Sequence, residues 1–362
     1  MPITQTDWLD SLHVPKRLNS ADYEYSGDRK ALEAFQSIPG VSWLCSKIIS
    51  FFLEIEKAGM LGRAVRVTPK QFPEIDRLKA KCAEVLGITP PPMFVFEVPM
   101  LNAFTLGPDA ENSFVLLTRA LADTATEKEL MFVIGHEMGH IKSQHSLYHT
   151  VAILLANSGV LAARMLQLPG VRYLLILFGP SVELALNAWA RRSEITCDRA
   201  GLVCCQDVEA ARKALLLLGC GSRRLMERID LDEFQTQRDD LSKSYGKWGE
   251  LFQTHPYLPR RVKALEVFGD GAFYQGSILR KGNKGKELGS IDNEVAKVLG
   301  DLEPVTEGAA AFKDWSKKRL SQGLGAVAKG LDKASKQLDK QAPKSKPKAK
   351  RASRPAGKKR KA

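Results

Sequence analysis

Apolar residues recur at helical spacing along much of the chain, and short apolar runs bounded by turn residues fill one part of it. Spacings of three and four residues are typical of amphipathic helices, and short runs between Gly, Pro and Asn are typical of strands. Helices are predicted near 29–38, 41–59, 69–86, 207–219, 230–243 and 259–267, with a short one near 291–300. Strands are predicted at 65–67, 94–98, 102–106 and 114–117. The pattern predicts an α+β fold that is mostly helical, with a small β-sheet.

One further helix carries the most informative motif of the chain. It begins at Thr126, which forms a capping-box pattern with Glu129, and residues 136–140 read His-Glu-Met-Gly-His. Positions i and i+4 share a helix face, so two imidazoles on that face can bind one metal ion. The intervening glutamate is within reach of a water activated by the metal. Zinc fits best because it accepts nitrogen and carboxylate ligands and leaves a fourth position open.

A third ligand is sought downstream of this motif. Ser146 stands where a metzincin would have a histidine. Glu194 and Asp198 are spaced one helical turn apart; Glu194 can be a metal ligand, and Asp198 can accept the N–H of a ligating histidine. The same two acids can instead lie on a solvated helix face, paired with neighbouring arginines. These residues alone leave both interpretations open.

A third stretch places His255 before Pro256, at the entrance of a predicted helix that contains Arg261. Proline restricts the preceding residue to extended backbone, so His255 is expected on a loop.

The order H-E-x-x-H, E-x-x-x-D and H-P-x-x-x-x-R resembles the zinc metallopeptidase family of the CAAX prenyl endopeptidases and the HtpX heat-shock proteases. Segments 102–107, 114–121 and 140–145 resemble that family too, and the similarity spans roughly residues 60–270. It implies a zincin-like (gluzincin) domain with its sheet beside the motif helix. It also implies one zinc ion per chain, held by His136, His140 and Glu194, with Glu137 as the catalytic residue. Cys197 departs from the small residue that the family usually has before the aspartate.

The reaction implied is hydrolysis of peptide bonds in a polypeptide, with Glu137 as general base. His255 is expected either to donate to the developing oxyanion or to act as a resting-state zinc ligand. Arg261 is expected to anchor the His255 loop through Asp198 or Glu194, or to lie on a helix surface. Analogy to relatives suggests protein quality control. A prenyl-protein endopeptidase is a further alternative.

Asn102, Ala103 and Phe104 are expected on a short strand that borders the cleft. A substrate peptide can extend such an edge through backbone hydrogen bonds. The strand can equally be an ordinary member of the sheet, with Phe104 in the core, and the two interpretations are compatible because a strand has two faces and an edge.

The stretches 151–168 and 173–190 are apolar but contain Asn157, Arg164, Pro180 and Glu183. Charges within a membrane span are costly, so a buried or membrane-touching helical hairpin is expected rather than a span. The first residues lack the pattern of a secretory signal, and none of the six cysteines forms C-x-x-C. A cytoplasmic location is expected, with membrane association left open.

The predicted organisation is an N-terminal arm and helices over 1–60 that pack on the catalytic domain, with 1–28 irregular and polar, and a zinc metallopeptidase domain over 61–270. A linker over 271–312, a basic amphipathic segment over 313–340 and a disordered tail over 341–362 follow. The net charge is +13, and residues 313–362 hold 18 Lys/Arg and 3 Asp, so residues 1–312 carry −2.

The basic C-terminal residues allow a competing function. Residues 313–362 can bind an anionic membrane surface or nucleic acid, or serve only as a solubilising tail. A binding protein that uses the zinc domain as a scaffold is therefore the alternative to an enzyme. The intact Glu137 argues against it, because a structural metal site needs no general base. Oligomeric state and physiological substrate are left open.

Overall fold

The computed structural model describes residues 7–36, 62–156, 180–243, 255–282 and 284–300, with isolated residues between 42 and 59. This part of the chain is mostly helical and contains one four-stranded sheet, so the predicted α+β class is confirmed. The α-helices span Asp7–Ser11, Ser26–Gln36, Pro73–Leu86, Arg119–Thr124, Glu127–Lys142, Ser146–Ala156, Pro180–Cys205, Val208–Cys220, Arg223–Met226, Leu231–Lys243, Leu258–Gly269 and Leu288–Leu299. A 3₁₀-helix spans Ser20–Asp22, and a π-helix spans Phe273–Ile278.

The sheet is mixed and has the strand order β1-β2-β4-β3. Its strands are β1 (Ala64–Arg66), β2 (Met93–Phe96), β3 (Ala103–Leu106) and β4 (Phe114–Thr118). β2 and β4 run parallel, whereas β1 and β3 are antiparallel to their neighbours. β3 therefore lies at an edge of the sheet, with Phe104 opposite Leu116 of β4.

The motif helix (Glu127–Lys142) begins with the predicted capping box. The Thr126 hydroxyl accepts from the Glu129 backbone N–H at 3.4 Å, and the Glu129 carboxylate accepts from the Thr126 N–H at 2.8 Å. Arg223 donates to the other oxygen of Glu129 at 2.9 Å, and that glutamate is 2% exposed. Both the cap and this ion pair fix where the helix starts.

The motif helix packs against the long helix (Pro180–Cys205) at very short distance. A Cβ atom added at Gly135 would lie 2.7 Å from the Cβ of Cys204, and one at Gly139 would lie 2.8 Å from the Cβ of Ala200. Only glycine lets two backbones approach this closely without a clash. The close approach brings Glu194 of the long helix opposite the histidines of the motif helix.

The N-terminal residues differ from the predicted irregular, polar arm, because Tyr23 is fully buried and Tyr25 is 5% exposed. Asp28, on the helix Ser26–Gln36, accepts a hydrogen bond from Trp189 of the long helix at 3.0 Å. Aromatic residues spaced irregularly gave no periodic signal, although they pack into the core. The helix predicted over 41–59 lies largely outside the described residues.

The predicted linker over 271–312 is wrong for its described part. The π-helix and the helix Leu288–Leu299 pack on the core, where Tyr274 and Ile278 are fully buried. Asp292 accepts from buried Arg199 of the long helix at 2.8 Å. The glycines of this region shape turns between packed elements rather than a flexible connection, as shown by Gly285 with φ of 151°.

Smaller differences concern the ends of elements. The first long helix after β1 begins at Pro73 rather than near 69, because Thr68 and Gln71 pair with each other and Phe72 adopts a left-handed φ of 58°. Proline then occupies the first helical position, where no backbone N–H is needed.

The predicted apolar hairpin falls mostly on residues 157–179, which lie outside the described residues. The helices Ser146–Ala156 and Pro180–Cys205 flank that segment, and the second runs without interruption to the Glu194 region. Among the helices that the structure describes, none combines the length and the apolar character that crossing a membrane requires. The predicted segments over 313–362 also lie outside the described residues.

Candidate metal centre and active site

His136, His140 and Glu194 converge between the motif helix and the long helix. The Nε2 atom of His136 lies 3.6 Å from one Glu194 oxygen, and Nε2 of His140 lies 3.4 Å from the other. All three side chains are buried, and their ligand atoms lie within 4.8 Å of one another. The residues that the sequence named as metal ligands are therefore neighbours in space.

The two nitrogen-to-oxygen distances, which run to different oxygens of Glu194, are those expected between two ligands of a tetrahedral zinc ion. Ligand atoms about 2.0–2.2 Å from such an ion lie roughly 3.3–3.6 Å from each other. Within the described part of the chain, Nε2 of His140 and Oε1 of Glu194 have no hydrogen-bond partner although both are buried. Buried polar atoms are normally paired, so these two atoms indicate a bound cation.

Asp198 orients the His136 ring through Nδ1, the nitrogen that does not face Glu194. Its carboxylate accepts from Nδ1 of His136 at 3.0 Å, which leaves the Nε2 lone pair directed at Glu194. Arg261 donates to both oxygens of Asp198, at 2.9 and 2.7 Å. Burial raises the pKa of Asp198, but the attraction of Arg261 and the bond to His136 outweigh it, so that pKa lies below its usual value.

Glu194 is surrounded by positive or hydrogen-bonding groups. Nδ1 of His255 lies 2.6 Å from its Oε2 atom, and Arg261 lies 3.3 Å from the same oxygen. Burial opposes ionisation of Glu194, but His255, Arg261 and His136 together hold its pKa well below the usual range. The carboxylate is thus stabilised as an anion, the form in which it binds metals.

Arg261 therefore makes the contacts expected of it with both acids, rather than lying on a free helix surface. Its helix, Leu258–Gly269, begins just after His255 and has proline near its start. The side chain of His255 is 55% exposed and contacts the buried carboxylate of Glu194. The structure brings His255 to the metal ligands without separating its two predicted roles.

Glu137 is held by a residue that the sequence reasoning did not single out. Thr105 of β3 donates its hydroxyl to the Glu137 carboxylate at 2.7 Å and lies 2.8 Å from the Glu137 backbone oxygen. Thr105 is fully buried and Glu137 is 6% exposed. The alternation along β3 could have found it, because Thr105 shares a face with Ala103, which is also buried.

The predicted edge strand is present as β3, which begins at Ala103. Asn102 precedes it and fastens it to the end of β4, since its N–H donates to the Thr118 hydroxyl at 3.0 Å. Phe104 is partly buried and lies on the opposite face from Ala103, so it is not a core residue of the sheet. Within the described residues β3 pairs with β4 on one side only.

Two more buried histidines surround His140. The ring of His149 stacks on it with 3.9 Å between centroids, and the ring of His145 contacts it edge-on at 5.6 Å. Burial and the neighbouring His140 place the pKa of His149 well below its usual value, so it is a neutral ring. Neither histidine was among the predicted site residues, although both follow His140 closely in the sequence.

A buried histidine pair and a carboxylate spaced for one metal ion, beside a second carboxylate, define a metallopeptidase site of the H-E-x-x-H class. Residues 69–268 match the model of peptidase family M48, so the chain belongs to that family and the resemblance seen in its motifs is confirmed. The chain is therefore a metallopeptidase, and its substrates are polypeptides.

Two relatives show how far the similarity extends. The plastoglobule-localized metallopeptidase 48 of Arabidopsis thaliana is 25% identical over 278 residues, which cover 74% of this chain and 78% of that protein. A protease HtpX homolog of Ligilactobacillus salivarius is 26% identical over 237 residues, covering 57% of this chain and 77% of the homolog. The chain matches no solved structure at a significant level.

Proposed function

We propose that the chain is a zinc-dependent endopeptidase that binds one catalytic zinc ion through His136, His140 and Glu194. The observation that carries this proposal is the convergence of these three buried side chains, whose ligand atoms lie within 4.8 Å of one another, next to Glu137. Zinc, when bound there, polarises the scissile carbonyl and makes a water acidic enough to react near neutral pH.

Glu137 acts as the general base in this proposal. It takes a proton from the attacking water and passes it to the leaving amine. The hydrogen bond from Thr105 occupies one carboxylate oxygen and leaves the other for the attacking water. Because the carboxylate is already held in its reactive orientation, no entropic cost of positioning it adds to the activation barrier.

His255 and Arg261 complete the site on its open side. His255 donates through Nδ1 to Glu194, so it is the doubly protonated ring that supplies an Nε2–H towards the developing oxyanion, from a partly exposed position beside Glu194. Arg261 positions both acids through its contacts with Asp198 and Glu194. The alternative role of His255, as a zinc ligand in the resting enzyme, predicts that its replacement raises rather than lowers the turnover number.

Substrate binding is assigned to the edge of β3. Backbone groups of β3 that point away from β4 can pair with an extended peptide, which gives affinity with little sequence preference. Asn102 instead anchors the start of the strand, because its N–H and its C=O both bond to Thr118. The half-buried Phe104 then supplies an apolar contact for one substrate side chain. Such recognition suits an enzyme that cleaves unfolded chains, which agrees with the role in protein quality control suggested by the resemblance of its motifs to the HtpX heat-shock proteases.

A metal count tests the ligand set. Purified wild type should contain the catalytic zinc, and Glu194→Gln should lose it, because the amide is a far weaker ligand than the carboxylate. Glu266→Gln is the matched control: it changes a carboxylate on the surface of a neighbouring helix, where Glu266 contacts Arg212. Equal zinc content in wild type and Glu194→Gln would overturn the assignment.

We propose that the basic residues 313–362 direct the enzyme to an anionic membrane surface or to nucleic acid and take no part in catalysis. Deleting 341–362 should remove binding to anionic vesicles or to DNA and leave casein proteolysis unchanged. A fall in proteolysis that parallels the loss of binding would contradict that separation.

A further inference from the structure

A second group of metal-ligating side chains lies next to the first and shares His140 with it. His140, His145 and Cys197 each place one ligand atom within 4.8 Å of the other two. All three residues are at most 1% exposed. Histidine nitrogen and cysteine sulfur are the ligands that zinc and other thiophilic ions prefer.

Asp28 fixes which nitrogen His145 offers to this group. The Asp28 carboxylate accepts from the Trp189 indole at 3.0 Å and the Thr196 hydroxyl at 2.5 Å, and Nε2 of His145 lies 3.0 Å from it. A carboxylate only accepts hydrogen bonds, so His145 donates from Nε2 and keeps its lone pair on Nδ1. That Nδ1 atom lies 3.7 Å from the Cys197 sulfur. Asp198 prepares His136 for the first position in the same way.

His140 has two ring nitrogens to offer. Both are buried, and neither has a hydrogen-bond partner among the residues that the structure describes. Nε2 faces Glu194 at 3.4 Å and serves the first position. An imidazole can bind one ion through each nitrogen, so the second nitrogen of His140 is available to another ion.

We propose that His140, His145 and Cys197 form a second metal position for a thiophilic divalent ion such as zinc, bridged to the first by the His140 ring. Binding there releases the Cys197 thiol proton and the remaining ring proton of His140 to solvent. The ion would join the motif helix and the His145 loop to the long helix, and Asp28 of the helix Ser26–Gln36 would support it through His145. This inference goes beyond the proposed function but shares His140 with it.

Cobalt loading of the full-length protein tests the proposal. The protein is stripped by a chelator, loaded with Co²⁺ under argon, and assayed for bound cobalt per chain and for the near-ultraviolet thiolate-to-cobalt absorption band. Wild type should bind two ions and show the band. Cys197→Ala should bind one ion and show no band. If the stripped chain precipitates, protein expressed in cobalt-containing medium gives the same two readouts.

Two further variants separate this proposal from the proposed function. Glu194→Ala should lose the first ion and keep the thiolate band, because the band arises from Cys197 in the second position and Glu194 is not a ligand there. Cys205→Ala is the matched control, because Cys205 is equally buried on the same helix and bonds to backbone oxygens; it should behave like wild type. One cobalt ion per wild-type chain overturns the second position, and Cys197 then only hydrogen-bonds to His145.

Discussion

Replacing Thr105 by valine tests whether the orientation of Glu137 matters for turnover. Valine keeps the shape of the buried side chain but removes the hydroxyl that bonds to the Glu137 carboxylate at 2.7 Å. A hydrogen bond to a charged group contributes about 1.5–3 kcal/mol. If the full amount is lost in the transition state, the turnover number falls roughly 10- to 150-fold, at about 1.4 kcal/mol per factor of ten.

The assay is hydrolysis of casein, with the turnover number and KM measured separately and zinc content measured on the same samples. KM and zinc content should change little, because the substitution alters only a buried side chain of β3 and leaves the strand backbone and the three metal ligands in place. Thr105→Ser restores the hydroxyl and should recover turnover to within about threefold of wild type, since it loses only a methyl group. A Thr105→Val enzyme that turns over as fast as wild type, with unchanged zinc content, would refute the reasoning.

Other perturbations give distinct outcomes. Asp198→Asn weakens the acceptor that orients His136, so zinc affinity should fall about 10- to 100-fold in competition with a chelating indicator; unchanged affinity would show that the orienting contact is dispensable. Arg223→Ala leaves the buried Glu129 carboxylate without its ion-pair partner and should cost about 1–3 kcal/mol of unfolding free energy at pH 7. Burial opposes ionisation of Glu129, but Arg223 and the helix cap lower its pKa in the folded protein. The loss of unfolding free energy should therefore be full above the pKa of glutamate in the unfolded chain, about 4.3, and vanish as pH falls through the lower pKa of the folded state. A loss of unfolding free energy that persists in acid would contradict the ion-pair explanation. Gly139→Ala adds a methyl group 2.8 Å from the Cβ of Ala200 and should destabilise the fold by about 1–3 kcal/mol, seen as a lower melting temperature; an unchanged melting temperature would mean that the two helices can separate freely.

Features that depend on neighbouring residues in the sequence were predictable. The capping box at Thr126 and the shared helix face of His136 and His140 follow from fixed helix geometry, and both are as expected. The strands were also found to within a few residues, since short apolar runs between turn residues are a local signal.

Features that depend on distant residues were not predictable from the pattern alone. Glu194 lies far along the chain from His140, and nothing in its local sequence distinguished a buried ligand from a solvated acid. Motif order, taken as a resemblance, was what favoured it. Thr105 and Asp28 were missed because the role of a buried hydroxyl or carboxylate depends on hydrogen-bond partners that are distant in the sequence.

The C-terminal part of the core was hidden by its composition. Glycine and lysine between 271 and 300 indicate a linker, yet the buried residues Tyr274, Ile291 and Val295 anchor this part to the core. Ile291, Val295 and Leu299 recur at spacings of four and are typical of a helix, but the buried Tyr274 and Ile278 lie outside that pattern, so the sequence did not show that this whole part packs on the core.

Casein hydrolysis by Glu137→Gln, with zinc measured on the same sample, is the sharpest test that Glu137 is the general base of a zinc-dependent peptidase. The substitution keeps the size of the side chain and all three proposed ligands but removes the base. We expect zinc content equal to wild type and proteolysis reduced to background, because Glu137 is the base and not a metal ligand. Proteolysis at the wild-type rate would contradict the assignment of Glu137 and the mechanism built on it.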